Sequence, residues 1–177
     1  MSGVGAKEFV KKKLEDSENK EKEEKLREQE KEKRLEQRQI AKERIPIIAK
    51  SLLECKQGTI TVDNITMELA ASEKANFCYS TSDNYDDVFH IGLGEVLCKA
   101  DPKLVYCGLF EQEEKIRVIV YAGENISKEK SAGEIVKSIS QILGGAGGGS
   151  PKFAQGGGIN KSKKEDAIKN AKSMIIE

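Results

Sequence analysis

Residues 144–158 read GGAGGGSPKFAQGGG, and eight of the chain's 16 glycines sit in these fifteen positions. Three readings are open on residue chemistry. A glycine- and serine-rich run can be a flexible linker. It can be a structural turn, because glycine tolerates positive φ and close backbone approach. It can also be an anion-binding nest of successive exposed amides. Pro151, Phe153 and Gln155 are residues a spacer does not need. Lys152, Lys161, Lys163 and Lys164 stand beside the glycines. Amides of Gly144–Gly149 together with these lysines suit a phosphate backbone. The segment contains neither GxxxxGK[ST] nor a GxGxxG after a strand, so it is not a nucleotide loop of either kind.

Outward from this stretch, both neighbours read as helices. Upstream, Ser131 and Glu134 form a capping box, and Ile135, Val136, Ile139, Ile142 and Leu143 make an apolar stripe that Gly144 ends. Downstream, Ser162 and Glu165 predict a second capping box, with Ala167, Ile168, Ala171, Met174 and Ile175 as the buried side of a last helix. Further upstream, Thr59–Met67 reads as one or two strands and Phe77–Ser80 as a short one. Leu104–Phe110 is a continuous apolar run suited to a central strand. Glu111–Glu114 is a turn, and Lys115–Tyr121 alternates around Ile116, Val118 and Val120 to complete a hairpin. Tyr85, Val88, Phe89, Gly92, Leu93, Val96 and Leu97 share one helical stripe. Asn84 is the expected cap, with Asp86 and Asp87 in the first turn.

Before residue 58 the character changes. Residues 7–44 lack Gly and Pro and consist mostly of Lys, Glu, Arg, Gln and Leu, all good helix formers. Pairs at spacing i,i+4, among them Glu8–Lys12, Glu18–Lys22, Glu21–Lys25, Glu23–Arg27 and Glu30–Arg34, each add about 0.2–0.5 kcal/mol to an isolated helix. Leu14, Leu26 and Leu35 do not sustain a heptad. The segment therefore reads as a solvated helical arm rather than a strong coiled coil. From Ile40 the apolar residues become dense: Ile40, Ile45, Ile47, Ile48, Leu52 and Leu53. Pro46 is expected to start a second helix or kink the first. That face can meet a globular core, a partner chain, or both.

The formal net charge is zero, but it is uneven: the two ends are mildly basic and the middle, 45–143, is acidic. Zero net charge excludes nothing about nucleic acid, since the position of the cations decides. Cys55, Cys78, Cys98 and Cys107 form no CxxC pair, and the sequence has one His. No zinc site or other metal site is expected, and no cofactor. There is no signal peptide and no apolar run long enough to cross a membrane. The expectation is an intracellular, cytoplasmic protein with reduced, mostly buried thiols. His90 is read as a boundary residue of its helix without a chemical role, and no catalytic residue is expected.

At this point Gly144, Gly145, Gly147, Gly148, Gly149, Pro151, Ala154, Gln155, Gly157 and Gly158 resemble the GG-x-GGG-x-P…AQ-x-GG signature of the DHH-associated domain, in the form found at the C-terminus of archaeal-type alanyl-tRNA synthetases. The resemblance covers about 45–177 and extends to Gly3–Val10, which looks like the helix leaving the editing domain of those enzymes. One departure is Ser150, where the family usually has a basic residue. The DHH motif of the phosphoesterases that share the domain is absent, as are class II synthetase motifs and the zinc set of the editing site.

The resemblance implies a tRNA(Ala)-binding and dimerisation module that assists aminoacylation and editing by holding the outer corner of the tRNA. It implies a homodimer, with the catalytic and editing part of a synthetase as partner. Met1 would then fall inside a helix of the whole enzyme, so the chain is expected to be an excised fragment or the small subunit of a split enzyme. The expected fold is α+β: a helical arm or dimerisation subdomain at 1–57, then a globular mixed-sheet domain with flanking helices at 58–177, with the glycine-rich loop at 144–158. The expected tRNA contacts are Gly144, Gly145, Gly147, Gly148, Gly149, Ser150, Lys152, Gln155, Lys161, Lys163 and Lys164. The expected dimer contacts are Ile40, Ile45, Ile48, Leu52 and Met174. The rival readings are a protein-interaction domain without RNA binding and a stand-alone DHH-associated domain of a phosphoesterase.

Overall fold

The computed structural model describes residues 4–55, 57–62, 64–82 and 85–177. The chain divides into two compact units, Met1–Gln39 and Ile40–Glu177. The first is the N-terminal part of a single helix, α1, Val4–Glu54, and almost all of its described side chains are exposed. Pro46 lies inside α1 and does not start a second helix. Its missing N–H costs one helical hydrogen bond. Burial on either side offsets that loss, because Ile45, Ile48, Ala49 and Leu52 are all in the core.

The second unit therefore reaches back into α1, past the expected boundary at residue 58. It holds one seven-stranded sheet, made of β1 (Gly58–Val62), β2 (Ile65–Ala71), β3 (Asn76–Ser82), β4 (Leu104–Gln112), β5 (Lys115–Ala122), β6 (Ala146–Gly149) and β7 (Phe153–Gly158). The strand order is β1-β2-β3-β4-β5-β7-β6. Among the described strand pairs only β3 and β4 run parallel. The crossover between them is α2, Asp87–Ala100. Two further helices follow, α3 (Ala132–Ile142) and α4 (Lys164–Ile176). The α+β class and the mixed sheet agree with the sequence.

Strand β4 explains its own continuous apolar run. Val105, Cys107 and Leu109 join Ile135, Val136 and Ile139 of α3 and Ala171 and Ile175 of α4 in one core. Leu104 and Tyr106 join Ile48, Leu52, Phe89, Leu93 and Leu97 in the other. A strand buried on both faces has no polar alternation to show. Each fully buried Ile or Leu contributes about 1.5–3 kcal/mol.

Two of the three expected helix caps change. The N-cap of α2 is Asp86, whose carboxylate accepts from the amides of Val88 and Phe89; Asn84 lies outside the described residues. Ser131 caps α3 as expected, accepting from Gly133 N. No second capping box forms at Ser162: a 3-10 turn, Lys161–Lys163, intervenes, and α4 begins at Lys164 with Glu165 and Asp166 in its first turn. Those carboxylates face the positive end of the helix.

His90 is not a boundary residue. It is fully buried beneath α2. Its Nδ1 lies 2.8 Å from Tyr106 Oη and 3.3 Å from Ser80 Oγ, and its Nε2 lies 3.1 Å from Ser82 Oγ. Its ring stacks on Phe110 at 4.9 Å. Burial lowers its pKa from 6.5 to about 3, so the imidazole is neutral. Ser80 and Ser82 come from β3 and Tyr106 from β4, so this polar knot pins α2 to the parallel pair. Among the described residues no helix is long and apolar enough to cross a membrane.

Candidate nucleic-acid interface

The glycine-rich segment, expected as a loop, is a β-hairpin. Strand β7 pairs antiparallel with β5, Gly157 opposite Arg117 and Phe153 opposite Tyr121. Strand β6 pairs with β7 and forms the edge of the sheet. Glycine carries no side-chain periodicity, which is why the sequence did not display these strands.

The helix beneath dictates the glycines. A Cβ on Gly147 would stand 2.3 Å from Val136 Cγ1 and 2.7 Å from Ser140 Oγ; one on Gly156 would meet the same two side chains at 2.9 and 2.4 Å. The hairpin thus lies flat on α3, closer than any side chain permits. Ser140, fully buried on α3, accepts from Gly157 N at 3.1 Å. Gly144, with φ of 70°, turns the chain out of α3, and a side chain there would be strained. Gly148 differs: a Cβ there meets nothing within 4 Å.

Ser150 acts within the hairpin turn. Its amide donates to Phe153 O at 2.8 Å, and its Oγ accepts from Phe153 N at 3.1 Å. The residue that departs from the family pattern therefore closes the turn. Pro151 O and Lys152 O accept from Ala132 N and Ala122 N, tying the turn to α3 and β5.

The four expected lysines are all on the surface, and three of them are paired with carboxylates. Lys161 Nζ sits 2.7 Å from Glu111 Oε2 and 3.4 Å from Glu113 O. The Lys161 ammonium holds Glu111 below the usual carboxylate range, and Lys161 itself is raised by Glu111. Lys163 pairs with Asp166 at 3.1 Å and Lys152 with Glu124 at 3.6 Å. Lys164 is half-buried at the start of α4. Exposed pairs of this kind are worth about 0–1 kcal/mol, so a phosphate can displace the carboxylate. Gln155 is exposed on β7, opposite Ile119 and Gly148.

The structure also brings forward residues that the sequence reading passed over. On β5, Ile116, Val118 and Val120 point to the α3 side and belong to its core. Lys115, Arg117 and Tyr121 point to the other side. A cleft of about 450 Å³ there is lined by Lys115, Arg117, Ala146, Gln155, Gly157 and Ile159, among others. Their signal was present in the sequence as the charged half of the period-2 pattern over Lys115–Tyr121.

The expected dimer residues fall mainly inside the unit. Ile45, Ile48 and Leu52 are in its core, and Ile40 and Met174 are half-buried. The apolar residues of that helix stretch left exposed are Ile47 and Leu53. Cys78, Cys98 and Cys107 are shut in: burial pushes Cys98 and Cys107 up to about 12 and raises Cys78 further.

Residues 75–177 match the DHHA1 domain family. Over 176 residues, 99% of this chain, the sequence is 40% identical to the alanine–tRNA ligase of Nitrosopumilus maritimus (strain SCM1), of which it covers 19%. It is 37% identical over 110 residues, 62% of the chain, to the alanine–tRNA ligase of Cenarchaeum symbiosum (strain A), covering 12% of it. The chain thus spans about a fifth or less of the length of these relatives. Among solved structures, the C-Ala domain of Aquifex aeolicus alanyl-tRNA synthetase superposes with a TM-score of 0.58 at 23% identity, over 62% of this chain and 99% of that one. That likeness speaks to the fold.

Proposed function

Because this chain belongs to the DHHA1 domain family, and resembles alanine–tRNA ligases over nearly its whole length, we propose that it is a non-catalytic, cytoplasmic, tRNA(Ala)-binding module of such a ligase. It holds the outer corner of the tRNA while the catalytic and editing parts act on the acceptor end. The observation that carries this reading is the glycine hairpin, an ordered and nearly side-chain-free backbone with Lys152, Lys161, Lys163 and Lys164 around it. Such a surface recognises backbone and shape rather than sequence. Self-association belongs to the same reading, and in the 40–54 stretch of α1 the large apolar residues left exposed for a second copy are Ile47 and Leu53.

The test is tRNA(Ala) binding by the whole chain across a salt series. Affinity is expected to fall steeply with salt, and each phosphate contact removed reduces the log–log slope by about 1. Changing Lys152, Lys161, Lys163 and Lys164 to Ala is expected to flatten that slope; unchanged affinity and slope would remove these lysines from the interface. Mixing the chain with the catalytic part of a matching synthetase is expected to raise the alanylation rate and yield a shared complex. Mass measurement on the chain alone reads its oligomeric state.

A second reading, a protein-interaction domain without RNA binding, draws support from the carboxylate partners of Lys152, Lys161 and Lys163. Absence of any salt-dependent tRNA binding would favour it.

A further inference from the structure

The sheet is covered unevenly. Helix α3 packs on β5, β6 and β7 from one side, and α2 reaches β4 and β5 from the other. On the α2 side, no helix among the described residues packs on the end formed by β7 and β6. There Gly148 faces open space, and Ala146 and Gln155 are exposed. The register places Lys115, Arg117 and Tyr121 of β5 on this face, with Phe153, Gln155 and Gly157 of β7 beside them.

Three features of this face point to one kind of ligand. First, the cleft lined by Lys115 and Arg117 has a floor of glycine backbone. Second, Arg117 Nε is buried without a hydrogen-bond partner, and among the described residues neither Arg117 nor Lys115 makes an ion pair. This contrasts with Lys152, Lys161 and Lys163, which all have carboxylates. The nearby acidic turn is partly neutralised, since Glu111 is taken by Lys161. Third, an aromatic pair sits at the far end of the same face. Phe153 lies 4.8 Å from Tyr121, ring centre to ring centre, and both are half-exposed. The Tyr121 ring is wedged against Gly94 of α2, where a Cβ would stand 2.7 Å away, so it holds Phe153 from behind. Arg117 and Tyr121 are four residues apart on one strand, about 13 Å.

We propose that this helix-free sheet face is an RNA platform: Arg117 and Lys115 take a phosphate in the cleft, Gln155 hydrogen-bonds in the middle, and Phe153, backed by Tyr121, stacks on an unpaired base. The chemistry selects RNA with exposed bases. Cations without partners call for an anion, and a half-exposed ring backed by another calls for a flat π-face. The span suits two or three nucleotides, as on other aromatic-bearing sheet faces. The platform rests on the proposed tRNA-binding function and moves the centre of the interface from the paired lysines to β5 and β7.

The experiment uses the whole chain with a fluorescent tRNA(Ala) transcript. Arg117→Gln with Lys115→Gln, which empties the one phosphate site, is expected to weaken binding at least 10-fold and to lower the salt slope by about 1. Phe153→Leu, which keeps an apolar side chain in the turn, is expected to weaken binding about 5- to 100-fold with the salt slope unchanged. Hydrogen exchange on the wild-type chain is expected to show tRNA-dependent protection at 115–121 and 146–157, a readout independent of whether any variant folds. If these variants bind like wild type, or protection falls on 161–169 instead, while Lys152, Lys161, Lys163 and Lys164 changed to Ala loses binding, the platform is wrong and the tRNA-binding reading stands. If the wild-type chain binds no tRNA at low salt, both fall.

Discussion

Residues 4–39 are rich in long side chains and leave nearly all of them in water, whereas residues 144–158 carry few side chains yet are locked in place. Both stretches depart from ordinary globular composition, and both can be taken for tethers. One is a helix sustained by its own backbone bonds and by i,i+4 charge pairs, each worth a few tenths of a kcal/mol. The other is held by fit: two glycines against Val136 and Ser140, a buried hydroxyl on Gly157 N, and a turn closed by Ser150. Order in the hairpin comes from matched surfaces, and order in the charged stretch comes from local propensity. The two should therefore respond differently to almost any perturbation. The four tyrosines, Tyr79, Tyr85, Tyr106 and Tyr121, all lie beyond residue 39, so tyrosine fluorescence reads the second unit alone.

Acid should separate the two units most. His90 has its folded pKa depressed to about 3 from 6.5, so its neutral form stabilises the second unit above pH 6.5. As pH falls from 6.5 toward 3 the unfolded chain takes up a proton that the folded chain refuses. The loss is about 1.4 kcal/mol for each pH unit in that window. Tyrosine-monitored unfolding midpoints in denaturant should fall accordingly between pH 6.5 and about 5.3, before most carboxylates titrate. His90→Gln should be less stable at neutral pH and nearly flat over the same window. A wild-type midpoint independent of pH there would mean that the imidazole is not shut in with Ser80, Ser82 and Tyr106.

Within the hairpin, two neighbouring glycines make a sharper test. Gly147→Val drives its side chain into Val136 and Ser140, at an expected cost of about 3 kcal/mol or more. That corresponds to a melting midpoint lower by about 10 °C. Gly148→Ala, one residue on, points into open space and should change the midpoint little. Equal responses at both positions would mean that the hairpin does not lie on α3. Ser140→Ala comes next in size. It leaves Gly157 N without its partner, and Gly157 is only half-buried, so the loss should be about 1 kcal/mol, read from the same melts.

These positions also show what the sequence could and could not display. The stripe of α3, the buried run of β4 and its hairpin with β5 were legible because apolar periodicity records which face is covered. The helix through Pro46 was not, because burial of Ile45 and Ile48 outweighs one lost hydrogen bond. His90 was not, because its partners Ser80, Ser82 and Tyr106 lie on other strands and meet it only in three dimensions. The candidate site was half legible. The glycine signature and its lysines stand out in one dimension, but the carboxylates that neutralise three of the lysines come from distant turns or the next helical turn. Arg117 and Lys115 read as the solvent side of an ordinary strand until the sheet order shows that no helix covers β7 and β6 there.

The smallest expected effect tests the other side of the comparison. Leu26 and Leu35 are 57% and 63% exposed, in a stretch that buries almost nothing. Replacing both with Ala removes no packing in an isolated chain, and Ala is the better helix former. Tyrosine-monitored stability should stay within about 0.5 kcal/mol of wild type, and helical ellipticity at 222 nm should hold or rise slightly. A larger loss, growing as protein concentration rises, would have a specific meaning. Only a second copy covering those leucines makes stability depend on concentration through them. The charged stretch would then be ordered by fit as well, against its own kind, and the contrast with the glycine hairpin would survive only in the monomer.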